Sequence, residues 1–249
     1  MKTHQSTVLA NRSITHDPRL DCIPEFDERS RAFLVRDLVE PDAEVITKLW
    51  PLETQLDQGN EGACVGFGFS HELAAEPFPV EDVTDAKARN IYKRAQQLDE
   101  WPGTNYEGTS VLAGAKTCKE GKFLEAYFWA TSAREVAQAI SHVGPVVIGI
   151  NWLAGMENTD DAGFIHATGA VRGGHCVCLH GVTNKDGTIW FTGKNSWGSG
   201  WGRDGGFFIT ESDLQILVES NGALCVPTTR SMTGTWPEAR KRRWFDFIK

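Results

Sequence analysis

At 249 residues, with 41% hydrophobic and 23% charged side chains, the chain is long enough to bury a large core as one domain or as two lobes. Its net charge of −8 and pI near 5.4 give the body no reason to seek nucleic acid or anionic membrane. The longest apolar runs, such as Gly144 to Ile150, fall far below the roughly 18 residues that span a bilayer, and Met1 to Ser6 lead into no apolar stretch of signal-peptide type.

Residues 1–50 are polar and irregular, punctuated by Pro18, Pro24 and Pro41 and followed by Pro51, and are expected to form an extended arm over the body. A helix is predicted to begin at Cys64, where Val65, Phe69 and Leu73 recur every four residues, and to end at Glu76 before Pro77. Gly66 and Gly68 each weaken that helix by roughly 1 kcal/mol relative to alanine, tolerable where the helix is buried and closely packed. Helices are predicted over Asp85 to Gln97 and over Ser110 to Lys119, the latter closed by Gly121. Beyond residue 130 the character changes. Ala133 to Val143 reads as a helix, and Pro145 to Ile150 and His175 to Val182 as buried strands. Thr188 to Thr192 and Gly206 to Thr210 read as short strands after the turn Asn184-Lys185-Asp186-Gly187. A helical half of about 51–130 and a β-rich half of about 131–227 give an α+β fold of two lobes with a cleft between them. Residues 228–249 form a basic and aromatic tail.

Two sequence blocks carry chemistry. The first is Gln58-Gly59-Asn60-Glu61-Gly62-Ala63-Cys64, the second Gly174-His175 followed by Lys194-Asn195-Ser196-Trp197-Gly198-Ser199-Gly200-Trp201-Gly202. A cysteine, a histidine and an asparagine in that order, with a glutamine just upstream, make a kit for attacking a carbonyl carbon. The thiolate attacks, the imidazole moves the proton, the amide orients the imidazole, and the glutamine holds the oxyanion. The first turn of a helix and an imidazolium across the cleft would both favour the thiolate of Cys64. Trp197 would shield the contact between His175 and Asn195 from water. Free cysteine is more often a small buried apolar residue, and a lone histidine beside a strand is more often structural. The co-occurrence of four partners in order outweighs both readings here.

Asn-Ser-Trp-Gly-x-Gly-Trp-Gly is long and rich in rare residues, and with the upstream block it makes the chain resemble the papain-like cysteine peptidases. The resemblance implies their two-lobe fold, with the cysteine in the helical lobe and the histidine and asparagine in the β-rich one. It implies an endopeptidase acting on protein or peptide substrates without a cofactor or metal, of a bacterial or phage-borne branch. It also assigns Gly149, Gly174 and Cys176 to the pocket for the residue N-terminal to the scissile one, and Gly108 to the rim that holds substrate backbone. Departures exist. His175 follows Cys64 by 111 positions and Asn195 by 131, short of the roughly 130–150 of the papain signature, and Val65 stands where the family has tryptophan. Secreted members carry a disulfide-bonded cysteine three positions before the nucleophile, where this chain has Glu61. That substitution and the odd number of remaining cysteines (Cys22, Cys118, Cys176, Cys178 and Cys225) point to a reduced protein, cytoplasmic or virion-associated.

Three rival readings stand beside this one. The same thiol could serve a peptidoglycan or isopeptide hydrolase, though no wall-binding element is visible, or the fold could be a non-catalytic assembly component. On one strand face, Cys176, Cys178 and His180 could ligate zinc, but tight zinc sites draw on two segments, and a buried strand is the better reading. The tail Arg240-Lys241-Arg242-Arg243, followed by Trp244, Phe245, Phe247 and Ile248, suits either docking to a partner or surface, or folding back on the body.

Overall fold

The structure, a computed structural model, describes residues 17–23, 28–101 and 107–238. The helical lobe is built on α1 (Cys64–Ala74), every residue of which is buried. A helix apolar on all sides must be enclosed on all sides, and α2 (Asp85–Leu98), α3 (Val111–Glu120) and strand β6 (Val171–Lys185) enclose it. The two glycines make this possible. A Cβ on Gly66 would lie 2.2 Å from the Ala88 carbonyl oxygen, and one on Gly68 would lie 2.8 Å from Cys176 Sγ. The close packing that would offset their helix cost is therefore present. Thr84 and Ser110 cap α2 and α3 by accepting from Lys87 N at 3.3 Å and Ala113 N at 3.2 Å.

The second lobe is one antiparallel sheet in the order β4-β9-β5-β6-β7-β8, with β2 (Lys48–Leu49) pairing onto β6. Its strands are β4 (Leu124–Ala130), β5 (Val146–Leu153), β7 (Thr188–Lys194), β8 (Gly206–Thr210) and β9 (Ala223–Arg230), besides β6. Helices α4 (Ala133–His142) and α5 (Glu211–Glu219) cover one face over Val136, Ile140, Leu214 and Leu217. The expected helices and strands are present, several longer than anticipated, and β4, α5 and β9 are additions. The ladder from β4 to β9 places residues 124–130 with the sheet. The boundary between lobes thus falls before β4 and not near 130. Val35 and Val45 belong to the sheet-lobe core, so much of the segment before residue 50 is part of the body.

Strand β1 (Cys22–Ile23) pairs in parallel with β3 (Thr109–Ser110) of the helical lobe, while the preceding Asp21 is bridged to Gly174 of the sheet. The arm therefore lies across the cleft, in contact with both lobes. At the other end, residues 231–238 fold back. Ser231 N and Thr235 N donate to the Phe123 and Gly121 carbonyls, each at 2.7 Å, and Trp236 stacks 4.8 Å from Phe123. The basic run 240–243 lies outside the described residues. Among those residues, no helix is long and apolar enough to cross a membrane.

His71, in the middle of α1, is fully buried, and neither ring nitrogen has a hydrogen-bond partner. Burial, with Lys194 and His180 adding positive charge, brings its pKa down from 6.5 to about 3. The folded chain thus keeps His71 neutral at pH values where the unfolded chain protonates it. Stability present above about pH 6.5 is lost as pH falls toward about 3, by an amount on the order of a few kcal/mol. Thermal melts at pH 7 and pH 4 should differ less in His71→Leu than in the wild type; an equal difference would contradict this.

Candidate active site

Cys64 is the first residue of α1, and Ala63 before it offers no side-chain cap. The sulfur therefore stands at the uncapped, partly positive end of a helix. The loop leading to it is locked by Gln58, whose side chain is almost fully buried. Gln58 Oε1 accepts from Ser196 Oγ at 2.7 Å, and its Nε2 donates to Glu61 O at 2.7 Å and to Arg19 O at 3.2 Å. Gln58 N also donates to Ser196 O at 2.9 Å. Ser196, inside the long glycine- and tryptophan-rich motif, thus fixes the glutamine from the opposite lobe. Glu61 accepts from Arg89 Nε at 2.7 Å, and Arg89 also reaches Gln58 O at 3.3 Å. An ion pair to α2 stands where secreted relatives are expected to hold a disulfide. None of the six cysteines is in a disulfide, and all are buried.

On the sheet side, His175 in β6 donates from Nε2 to Asn195 Oδ1 at 2.8 Å. The backbone N–H of Ser196 donates to the same oxygen at 2.8 Å, which fixes the orientation of the amide. With the proton on Nε2, Nδ1 carries the lone pair. Nδ1 has no hydrogen-bond partner, and His175 lies close enough to Cys64 to pull its thiol pKa down. Trp197 packs 4.9 Å from the imidazole, and Trp152 meets the ring edge-on at 4.8 Å. His175 and Asn195 are fully buried and Trp197 nearly so, so the hydrogen bond between them is dry and correspondingly strong.

The four residues expected to line the substrate pocket all lie against the chain's own arm. A Cβ on Gly108, whose φ is +84°, would lie 1.8 Å from Asp21 O; only glycine lets the two backbones meet there. Gly174 is bridged to Asp21. The Cys22 side chain sits against Gly149 and Val111 and within hydrogen-bonding reach of Cys64 and Cys176. Arg19, paired with Asp17 at 2.6 Å, lays its guanidinium 4.1 Å over Trp197. Cys176 lies against Cys22 of the arm, and His180 is held by the Trp50 carbonyl at 2.9 Å.

The arm covers the expected nucleophile. Burial pushes the Cys64 thiol well above its ordinary pKa, the Cys22 contact pushes the same way, and His175 pulls against both. In this conformation the Gln58 amide is engaged by an arm carbonyl. Sequence reasoning did not single out Arg19, Cys22, Arg89, Trp152 or Ser196. Of these, Ser196 was within reach, since it lies inside the motif.

The papain family cysteine protease profile matches residues 84–224, more than half of the chain, a span that holds His175 and Asn195 and begins after Cys64. Cathepsin B-like cysteine proteinase 6 of Caenorhabditis elegans is 29% identical over 133 residues, 53% of this chain and 35% of that protein. Cathepsin B-like CP3 of Giardia intestinalis is 31% identical over 110 residues, 41% of this chain and 37% of that one. The chain thus spans about a third of the length of these curated relatives. Among solved structures, Xylellain, a cysteine protease from Xylella fastidiosa, superposes with a TM-score of 0.64 at 15% identity. The match covers 88% of this chain and 99% of that one. At that identity the likeness speaks for the fold alone, and the fold is what carries Cys64, outside the matched span, to His175 and Asn195. Profile, relatives and fold agree, and the chain belongs to the papain family of cysteine proteases.

Proposed function

We propose that this chain is a cysteine peptidase, an endopeptidase in which Cys64 is the nucleophile, His175 the base and then the acid, Asn195 its orienting partner and Gln58 the oxyanion donor. The observation that supports it most is the meeting of all four groups across one cleft, with His175 beside Cys64 and its Nε2 tied to Asn195 at 2.8 Å. Once the arm lifts, water and the imidazole favour the thiolate, which adds to the scissile carbonyl. Gln58 Nε2, freed from Arg19 O, donates to the developing oxyanion. His175 protonates the leaving amine, and water activated by the same ring then releases the acyl group from sulfur. The arm-docked form is latent. Six buried cysteines without a disulfide fit a reducing compartment.

Opening the arm should therefore raise activity. Leu20 is 2% exposed, and its backbone lies against Gly173. Leu20→Asp buries an unpaired carboxylate if the arm stays docked, at a cost of several kcal/mol. A shift of about 3 kcal/mol moves the docking equilibrium about 10²-fold. Turnover of a fluorogenic peptide by Leu20→Asp should exceed that of the wild type by at least about tenfold. Equal rates would show that the arm does not limit access.

The pocket vacated by Cys22 is walled by Val111, Gly149 and Cys176, without a charged side chain among them. It should reward buried apolar area at about 25 cal/mol per Å² and penalise an unpaired charge. A peptide panel on the Leu20→Asp protein should show Leu, Phe or Tyr preferred over Arg or Glu at that position. A Cβ on Gly149 would lie 2.4 Å from Val111 Cγ2, so Gly149→Ala should shift the preference toward smaller side chains. Preference for Arg over Phe would overturn this assignment.

A further inference from the structure

Cys22 is the residue the proposed mechanism does not use and the cleft does not require. Its thiol is 4% exposed and lies between two other buried thiols, those of Cys64 and Cys176. It shares one packed cluster with Cys64, Val111 and Cys176, and its sulfur would be 3.0 Å from a Cβ on Gly149. The segment carrying it meets the body through two parallel strand residues, the bridge at Asp21, the Gln58 contact to Arg19 O, and the buried side chains of Leu20 and Cys22. A strand whose thiol rests on the nucleophile can be converted from a reversible plug into a covalent one.

We propose that Cys22 and Cys64 are an oxidisable thiol pair, and that a hydroperoxide closes the cleft by joining them in a disulfide. This inference concerns regulation of the same site and rests on the reading of Cys64 as the nucleophile. The chemistry balances in two steps. With the arm lifted, the Cys64 thiolate attacks the peroxide; an S–O bond forms, the O–O bond breaks, and the alcohol or water leaves with a proton. Cys64 is then a sulfenic acid and the peroxide has taken up two electrons. When the arm returns, the Cys22 sulfur attacks that sulfur. An S–S bond forms, the S–O bond breaks, and hydroxide leaves as water with the thiol's proton. A dithiol reductant reverses the link by exchange. Cys64 and not Cys176 reacts first, because the imidazole of His175 is within reach of Cys64 alone of the two. Cys22 thereby shields the nucleophile from the further, irreversible steps of oxidation.

The test treats the full chain with hydrogen peroxide and maps cysteine linkage by mass spectrometry of a non-reducing digest. The expected result is a cross-link between the Cys22 and Cys64 peptides, a loss of two hydrogens, reversed by dithiothreitol. In Cys22→Ser the link is absent and Cys64 proceeds to sulfinic acid, which dithiothreitol does not reverse. A link between Cys22 and Cys176, or sulfinic acid at Cys64 in the wild type without any link, overturns the proposal. The readout is mass and not turnover, so a linked pair in a protein that cleaves no peptide would count against the peptidase reading while leaving the thiol pair intact. Recovery of peptide turnover in parallel with loss of the link supports both.

Discussion

Cys64→Ala is expected to lower peptide turnover by at least about 10⁴-fold, the scale on which removal of a catalytic nucleophile acts. The loss should appear in the Leu20→Asp background, where arm docking does not mask it. No other thiol can substitute. Cys22 and Cys176 are the sulfurs nearest to Cys64, but the imidazole lies within reach of Cys64, and the helix end with Gln58 just upstream belongs to Cys64 as well. Burial pushes the Cys118 and Cys225 thiols well above their ordinary range, with no imidazole acting against it. Cys118→Ser should accordingly leave kcat/KM within a few-fold of its parent, at some expense in stability. Retained turnover in Cys64→Ala would end the mechanism.

Gln58→Ala should lower kcat by about 10²- to 10³-fold with little change in KM, because an oxyanion donor acts on the transition state more than on the ground state. The structure adds a second consequence. Gln58 ties the loop before Cys64 to Ser196 Oγ at 2.7 Å and holds the arm through Arg19 O at 3.2 Å. The variant should therefore dock its arm more weakly while turning over more slowly, a combination that Leu20→Asp does not share. Asn195→Ala should be milder in kcat, since His175 remains fixed between Trp152 and Trp197 at 4.8 and 4.9 Å. A larger loss from Asn195→Ala than from Gln58→Ala would contradict this ranking.

The residues of the site were legible because their chemistry is rare and their context long. Gln58 and Cys64 lie in one loop, and Asn195, Ser196 and Trp197 in one motif. The helix at Cys64 was legible from Val65, Phe69 and Leu73. What escaped was set by pairing between distant segments. Strand β9 joins β4 through Trp129 opposite Cys225, some hundred positions apart, and neither alternates cleanly enough to announce itself. Helix α5 carries its start signal in Thr210, which accepts from Asp213 N at 3.1 Å, but it is short and amphipathic only in part. The path of the arm was the larger omission. Asp17 to Ile23 ends in a two-residue strand whose place depends on Gly108 and Gly174, and no local pattern encodes that. The sequence reading described an open cleft, while the structure shows a filled one.

The central claim is that Cys64 becomes an activated thiolate once the cleft opens. Iodoacetamide labelling of the Leu20→Asp protein at pH 5 tests it directly, because a thiol of ordinary pKa near 8.5 is almost wholly protonated there and reacts slowly. The expected result is alkylation at Cys64 with Cys22, Cys118, Cys176, Cys178 and Cys225 unmodified, abolished in His175→Ala. Equal, slow labelling of Cys64 and the newly exposed Cys22, or no labelling at all, would show that the site does not activate its thiol.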